Sequence, residues 1–181
     1  IIVAISDKFG GIYNDQGIDL DAAQLYYKEH GQLTDFPGGD AISNEELLAC
    51  DCEVLIPAAR ENTLDAAIAL HVQARIVVEG ANGPTTPGAD EMLRDAGVTI
   101  LPDILANAGG VTVSYFEWVQ SLDNYFWDLP RVRGELQRVM DKAFDAVNAK
   151  ADEADCDYRT AAYTIAIGRV VDAVRLKGVF P

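Results

Sequence analysis

Two asparagines, Asn82 and Asn107, each lie a few residues past an apolar run that is typical of a β-strand. They stand in the turns Gly80–Pro84 and Ala106–Gly110, which consist mostly of small residues and precede segments with helical periodicity. A strand, a tight turn and a helix start are what a parallel sheet needs to hold a ligand at its carboxyl edge. Amide side chains there can bond to ribose or carboxamide groups, and glycines at a helix start expose backbone N–H groups. The sequence therefore predicts a nucleotide site at these two turns. For Asn82 the alternative is a residue that only tolerates left-handed backbone.

Asp7 and Lys8 follow the first apolar run, Ile1–Ser6. An acid at the end of the second strand of a nucleotide-binding sheet accepts hydrogen bonds from the adenosine ribose, although an Asp after a strand is also a common turn former. The ribose role makes Ile1–Ser6 the second strand and places the first strand, with its glycine-rich loop, upstream of this chain, which contains no GxGxxG. Lys8 favours the 2′-phosphate of NADP and Asp7 opposes it, so the cofactor stays open with a slight preference for NAD.

Four apolar runs rich in Val and Ile alternate with amphipathic segments up to residue 102. The strand candidates are Ile1–Ser6, Glu53–Ala58, Arg75–Glu79 and Val98–Pro102. The helix candidates are Asp19–His30, Asn44–Leu48, Leu64–Val72 and Pro87–Ala96. Ser43 with Glu46 has the form of a capping box, and Thr86-Pro87 that of a cap followed by proline at the first helical position. This alternation predicts an α/β fold with a doubly wound, Rossmann-like parallel sheet.

No strand candidate follows Ala108. Helical spacing of apolar residues predicts three helices: Ala108–Leu122, one from about Pro130, and Asp157–Leu176. The expected organisation is a partial NAD(P)-binding domain over residues 1–122, followed by carboxy-terminal helices over residues 123–181 that pack on it and on a missing substrate domain. The aromatic turn Asp123–Pro130 is expected to be exposed and to pack on that domain or on another subunit.

The formal net charge is −15, from 29 acidic and 14 basic residues. Such a surface repels polyanions, which argues against a nucleic-acid partner. The 19 Asp and only 5 Lys are suited to concentrated salt, so we hypothesise a halophilic source; an ordinary acidic cytoplasmic enzyme is the alternative.

No apolar run approaches the roughly 20 residues of a membrane span. Cys50, Cys52 and Cys156 lack the spacing of a disulfide framework or a zinc site, so we expect a reducing cytoplasm and no metal. The chain starts without Met on a strand-like run, so we expect a fragment; a processed mature chain is the alternative.

The motifs EGANGPTTP and PDILANAGGVTVSYFEW resemble those of the glutamate dehydrogenases, within the wider amino-acid dehydrogenase superfamily. The resemblance extends more loosely to SDKFGGIYNDQGID, NEELLACDCEVLIPAARENT and TAAYTIAIGRV. It implies reversible, NAD(P)-dependent oxidative deamination of L-glutamate to 2-oxoglutarate and ammonia by a cytoplasmic homo-oligomer, usually a hexamer. It also implies that the catalytic lysine and carboxylate lie in the missing amino-terminal domain, so that this chain carries the cofactor-binding part and is inactive alone.

The resemblance assigns the site residues as follows. It places Ala58 and Ala59 against the adenine–ribose side, with Asn62 or Thr63 nearby, although a plain turn remains open for Thr63. Asn82 would bond the ribose next to the nicotinamide, and Asn107 the carboxamide and the substrate. Val111 and Ser114 would line the substrate pocket, with Ser114 bonding the side-chain carboxylate of glutamate unless its hydroxyl bonds back to its own helical turn. A leucine- or phenylalanine-type dehydrogenase and an inactive nucleotide-binding module are the alternatives.

Overall fold

Two sheets of three strands each, together with eight helices, make up residues 1–178, which are the residues that the computed structural model describes. The first sheet contains β1 (Ala4–Asp7), β2 (Gly10–Tyr13) and β3 (Asp40–Ile42), paired antiparallel in that order. The helices α1 (Leu20–His30) and α2 (Asn44–Leu48) belong to the same part of the chain. Its core consists of the buried residues Ile12, Ile18, Ala23, Leu33 and Phe36.

The position of β1 differs from the prediction. The sequence predicted a strand here as part of the parallel sheet. In the structure β1 instead pairs antiparallel with β2, and Asp7 lies opposite Gly10 in a tight hairpin. Gly10 has φ of 143°, a backbone conformation that glycine adopts without steric cost, so the chain reverses at once after β1. The returning strand β2 is only four residues long and begins with two glycines, and its alternation was therefore too weak to be recognised.

The second sheet has the order β4 (Val54–Leu55), β5 (Ile76–Val78) and β6 (Thr99–Leu101). β4 pairs parallel with β5, and bonds from Thr99 N–H to Arg75 O and from Glu79 N–H to Leu101 O continue the parallel ladder to β6. The helices between these strands are α3 (Ala66–Ala69) and α4 (Pro87–Asp95). The predicted parallel sheet is confirmed over these three strands, although the helix predicted over Leu64–Val72 shortens to α3.

Local capping fixes the helix starts as the sequence indicates. The Ser43 hydroxyl accepts the Glu46 N–H and the Glu46 carboxylate accepts the Ser43 N–H, so the capping box is complete. The Thr86 hydroxyl accepts the Ala89 N–H, with Pro87 at the first helical position of α4. These bonds satisfy N–H groups that have no partner inside the helix.

Four helices follow β6: α5 (Asp103–Ala106), α6 (Gly109–Asp123), α7 (Leu129–Ala154) and α8 (Tyr158–Lys177). The three longer ones confirm the predicted carboxy-terminal helices, and α5 was not predicted. Asp128 and Asp157 cap α7 and α8. A second core cluster in this region consists of the buried residues Leu105, Val147, Ala151, Ala161 and Ala162.

The described residues divide into two compact units. The first contains residues 1–77 and 83–99, and the second contains residues 78–82 and 100–178. The strands β5 and β6 each begin in the first unit and end in the second. The boundary expected at residue 122 remains a prediction. No helix among residues 1–178 is long and apolar enough to span a membrane.

Candidate functional site

Asn82 and Asn107 bond each other directly. Asn107 Nδ2 donates to Asn82 Oδ1 over 2.7 Å and to the Ala81 carbonyl over 3.3 Å. The two side chains come from turns 25 residues apart in sequence, and the parallel strands β5 and β6 bring those turns to one sheet edge. The bond between the two amides was not predicted, and the roles of both asparagines toward a ligand remain predictions.

The bonding pattern determines which amide atoms remain for a ligand. Asn82 uses its oxygen and Asn107 its nitrogen, so within residues 1–178 the Asn82 Nδ2 donor and the Asn107 Oδ1 acceptor remain. Beside them α6 starts at Gly109, and its preceding residue, Ala108, makes no capping bond through its side chain. The N–H groups of the first turn of α6 thus carry the positive end of the helix dipole. A donor, an acceptor and a helix start suit a ribose hydroxyl and a carboxamide.

The backbone separates the roles of two asparagines. Asn62 has φ of 54°, so it is the residue that adopts the left-handed conformation, and its N–H donates to Gly83 O. Asn82 is not in that conformation, and Gly83 takes φ of 52° in its turn. The alternative that Asn82 only tolerates a left-handed backbone is therefore wrong.

Val111 and Ser114 are exposed on α6, about one and two turns after Asn107 respectively. Two other hydroxyls of this helix bond back to their own turns: Thr112 to Ala108 O and Ser121 to Glu117 O, each over 2.8 Å. Ser114 makes no such bond among the described residues. The alternative of a back-bonded serine is therefore wrong, and the Ser114 hydroxyl remains for a ligand.

Asp7 and Lys8 lie in the first unit, at the β1–β2 hairpin. The two carboxylate oxygens of Asp7 accept the N–H groups of Phe9, over 2.7 Å, and of Leu33, over 2.9 Å. The turn-forming role is thus confirmed, and a role toward ribose remains a prediction. The exposed Lys8 ammonium lies 4.6 Å from the centroid of the Phe9 ring, in a cation–π contact.

Ala58 and Ala59 also lie in the first unit, exposed after β4. The Thr63 hydroxyl donates to Arg60 O over 2.7 Å, which fits the alternative of a plain turn, while a contact of Thr63 with the cofactor stays a prediction. The predicted residues therefore form two groups. Asp7, Lys8, Ala58, Ala59 and Asn62 belong to the first unit, and Asn82, Asn107, Val111 and Ser114 belong to the second.

A buried ion pair beneath the asparagine turns was not predicted. Glu79, at 0% exposure, accepts from Arg159 Nη2 over 2.7 Å and from the Asp103 N–H over 2.8 Å. A buried carboxylate is stable only with such partners. The one sequence signal was an acid directly after an apolar strand, and its partner lies 80 residues away.

An apolar stripe runs along α6 beside this region. It consists of Val111, Tyr115, Trp118 and Leu122, which are all exposed. In the following turn Tyr125 and Phe126 are exposed, as predicted, whereas Trp127 is half-buried and departs from the prediction. The end of α6 is fixed by the buried Gln120, which accepts the Trp127 N–H over 2.6 Å.

Neither the Cys50 and Cys52 thiols nor a cluster of metal-ligating side chains forms a reactive centre within residues 1–178. Burial is the main cause that raises the pKa of the Cys50 and Cys52 thiols, so thiolate is disfavoured at both positions. No group of three His, Cys, Asp or Glu side chains able to hold a metal ion occurs among residues 1–178.

Comparison with known proteins shows one consistent likeness. The family model for Glutamate/Leucine/Phenylalanine/Valine dehydrogenase matches residues 1–178. The chain is 52% identical to glutamate dehydrogenase of Thermotoga maritima, covering 99% of this chain and 43% of that protein. It is 47% identical to NADP-specific glutamate dehydrogenase A1 of Halobacterium salinarum, covering 99% of this chain and 44% of the relative. The chain thus spans less than half the length of these curated relatives.

Solved structures give the same result for the fold. The Leu-bound hetero-hexameric glutamate dehydrogenase of Thermus thermophilus matches with a TM-score of 0.92 and 36% identity, over 99% of this chain and 42% of that one. Glutamate dehydrogenase of Peptoniphilus asaccharolyticus matches with a TM-score of 0.79 and 34% identity, over 98% and 41%. The predicted α/β, Rossmann-like fold class with carboxy-terminal helices is confirmed.

Proposed function

Because the chain belongs to the Glutamate/Leucine/Phenylalanine/Valine dehydrogenase family, we propose that its protein catalyses the reversible oxidative deamination of L-glutamate to 2-oxoglutarate and ammonia. Bound NAD or NADP would exchange the hydride with the substrate Cα. The observation that carries the proposal is the family match over residues 1–178, together with the Asn82–Asn107 bond at the sheet edge.

The residues of this chain would bind and orient both reactants. Asn82 Nδ2 donates to the ribose next to the nicotinamide, and Asn107 Oδ1 accepts from the carboxamide and contacts the amino acid. Because each amide is held by the other, their orientations are fixed before the ligand arrives, which lowers the entropy cost of binding. Ala58, Ala59 and Asn62 would contact the adenine–ribose side, and Asp7 the adenosine ribose. The proton-transferring lysine and carboxylate would come from outside this chain.

Ser114 supports glutamate over an apolar amino acid. Its hydroxyl is exposed and bonds to no group among residues 1–178, so it can donate to the side-chain carboxylate of the substrate. Val111, one turn earlier on α6, would form the apolar wall of the same pocket. A leucine- or phenylalanine-type enzyme has no use for a hydroxyl at this position.

For the cofactor we propose a preference for NAD. Asp7 places a negative charge beside the adenosine ribose, which disfavours a phosphate there, while Lys8 is held over the Phe9 ring. The 47% identical relative named as NADP-specific favours the opposite choice. If Lys8 contributes, Lys8→Ser lowers the ratio of kcat/KM for NADP to that for NAD; an unchanged ratio shows that Lys8 has no part in the choice.

We further propose a cytoplasmic homo-hexamer. The three free cysteines suit a reducing compartment, and the Thermus thermophilus relative, which is named as a hetero-hexamer, supports the subunit number but not the identity of the subunits.

The test is ammonium-dependent oxidation of NADH and NADPH by the full-length protein in molar KCl, with 2-oxoglutarate and 4-methyl-2-oxopentanoate as parallel substrates. We expect turnover with 2-oxoglutarate alone. Turnover with the apolar oxoacid would instead identify a leucine-type enzyme, and turnover with neither would identify an inactive nucleotide-binding module.

A further inference from the structure

The Glu79 carboxylate is connected to both asparagine turns. It directly follows β5 and stands three residues before Asn82. Its second oxygen accepts the N–H of Asp103, the first residue of α5, and the Asp103 carbonyl accepts the N–H of Asn107 over 3.0 Å. One carboxylate is therefore connected to Asn82 through two intervening residues and to Asn107 through a single helical turn.

Arg159 completes the arrangement from α8. Its Nη2 donates to Glu79 Oε1 over 2.7 Å, and its Nη1 lies 3.7 Å from Asp103 Oδ1. One guanidinium thus contacts the acids that precede both turns. Asp103 Oδ1 also accepts the N–H of Ile104, so the start of α5 is held by two carboxylates, neither of which belongs to its capping residue, Pro102.

Because the network is buried, its members depend on one another for hydrogen-bond and charge partners. Glu79 has no exposed surface, and the Arg159 side chain is 25% exposed. Without its guanidinium partner, the buried Glu79 carboxylate lacks a compensating charge, which is strongly destabilising and changes its bond to the α5 N–H. Because packed interiors are stiff, the displacement reaches the turns on either side.

We propose that Arg159 and Glu79 are positioning residues that hold the Asn82 turn and the Asn107 turn at the separation at which the two amides bond each other. The inference rests on the proposed function, since it assigns to this pair the alignment of the nicotinamide end of the cofactor. Neither residue touches the ligand; both act through the asparagine pair.

The experiment is a double-mutant cycle in the full-length protein, with the Kd of NADH or NADPH measured by fluorescence titration. The variants are Arg159→Met, Arg159→Lys, Asn107→Ala and Arg159→Met with Asn107→Ala. The matched control is Arg138→Met, which breaks the exposed pair of Arg138 with Glu135 on α7, where the atoms are 2.6 Å apart. Melting temperatures are recorded for every variant.

We expect Arg159→Met to raise the Kd about tenfold, Arg159→Lys to recover part of the loss, and Arg138→Met to have no effect. In the Asn107→Ala background, Arg159→Met should change the Kd less than about threefold, because the pair through which it acts is already broken. If Arg159 had a purely structural role, Arg159→Met would lower the melting temperature and would change the Kd equally with and without Asn107→Ala.

Three results overturn the inference: an unchanged Kd in folded Arg159→Met, an equal effect in both backgrounds, or an equal effect of Arg138→Met. If Arg159→Met does not fold, Glu79→Gln, which keeps an acceptor for the Asp103 N–H, replaces it in the cycle under the same criteria. If the unsubstituted protein binds neither cofactor, the proposed function fails and the inference with it. If that protein binds and the cycle is additive, only the positioning role fails.

Discussion

Replacing Ser114 by alanine tests the substrate assignment most directly. The Ser114 hydroxyl is exposed on α6 and bonds to no group among residues 1–178. Its removal therefore breaks no bond in the folded chain, and alanine has a higher helix propensity than serine. The free energy of unfolding should stay the same or rise slightly, so any loss of activity reflects a lost contact with the ligand and not a loss of stability.

The magnitude follows from the kind of bond that is lost. A hydroxyl that donates to a carboxylate contributes about 1.5–3 kcal/mol. At about 1.4 kcal/mol per factor of ten, kcat/KM for 2-oxoglutarate should fall roughly 10- to 150-fold. The value for 4-methyl-2-oxopentanoate, which has no second carboxylate, should stay constant or rise, because no hydroxyl is left unpaired against its apolar side chain.

The assay is the ammonium-dependent oxidation of the reduced cofactor, with both oxoacids at subsaturating concentration. Ser121→Ala is the control, because Ser121 lies on the same helix and its hydroxyl is already bonded to Glu117 O. It should leave the ratio of the two kcat/KM values unchanged. An equal fall with both oxoacids in Ser114→Ala, or no fall at all, would refute the role of Ser114 in recognising the carboxylate.

Three further predictions concern stability. Hydrogen bonds from the backbone and then the side chain of Ser43 lower the pKa of Glu46, so the stabilisation is present above its ordinary pKa of about 4.5 and is lost as the pH falls through the lower folded value. Glu46→Gln, which still fits the capping box, should therefore make the free energy of unfolding in urea less dependent on pH below 4.5. An identical pH profile in the variant and the unsubstituted protein would contradict this. Gly11→Ala places a methyl group 2.7 Å from Ile5 O and should lower the free energy of unfolding by about 1–3 kcal/mol. The control Gly88→Ala, whose methyl group meets nothing within 4 Å in α4, should be neutral or stabilising by up to about 1 kcal/mol. Equal urea midpoints for the two variants would show that β1 and β2 adapt to the added methyl group. If the source is a halophile, the circular dichroism signal should decline on transfer from molar KCl to dilute buffer, and an unchanged spectrum refutes that origin.

Elements with their own local signals could be predicted from the sequence. The start of α2 follows from Ser43 and Glu46, and the start of α4 from Thr86 and Pro87, because capping depends on residues within one turn. The position of Asn82 and Asn107 in two turns at one sheet edge could be predicted because parallel strands end at a common edge, but the bond between their amides could not.

Elements that depend on distant partners could not be predicted in this way. β2 and β3 are four and three residues long and exist through pairing with each other and with β1, so they carry little periodicity of their own. The Glu79–Arg159 bond joins residues 80 positions apart, and no spacing rule connects them. A single acid after an apolar strand indicates that a partner is required, but not which residue supplies it.

The two tryptophans of the chain lie in contrasting surroundings, and this gives the α6 stripe an optical signal of its own. Trp118 is 59% exposed on the stripe, whereas Trp127 is half-buried, with the Phe116 ring 5.4 Å away and the Arg131 guanidinium 4.2 Å from its own ring. Acrylamide should therefore quench Trp118 emission strongly and Trp127 emission weakly. A domain or subunit that covers α6 would protect the first and leave the second unchanged, so the quenchable fraction reports directly on assembly.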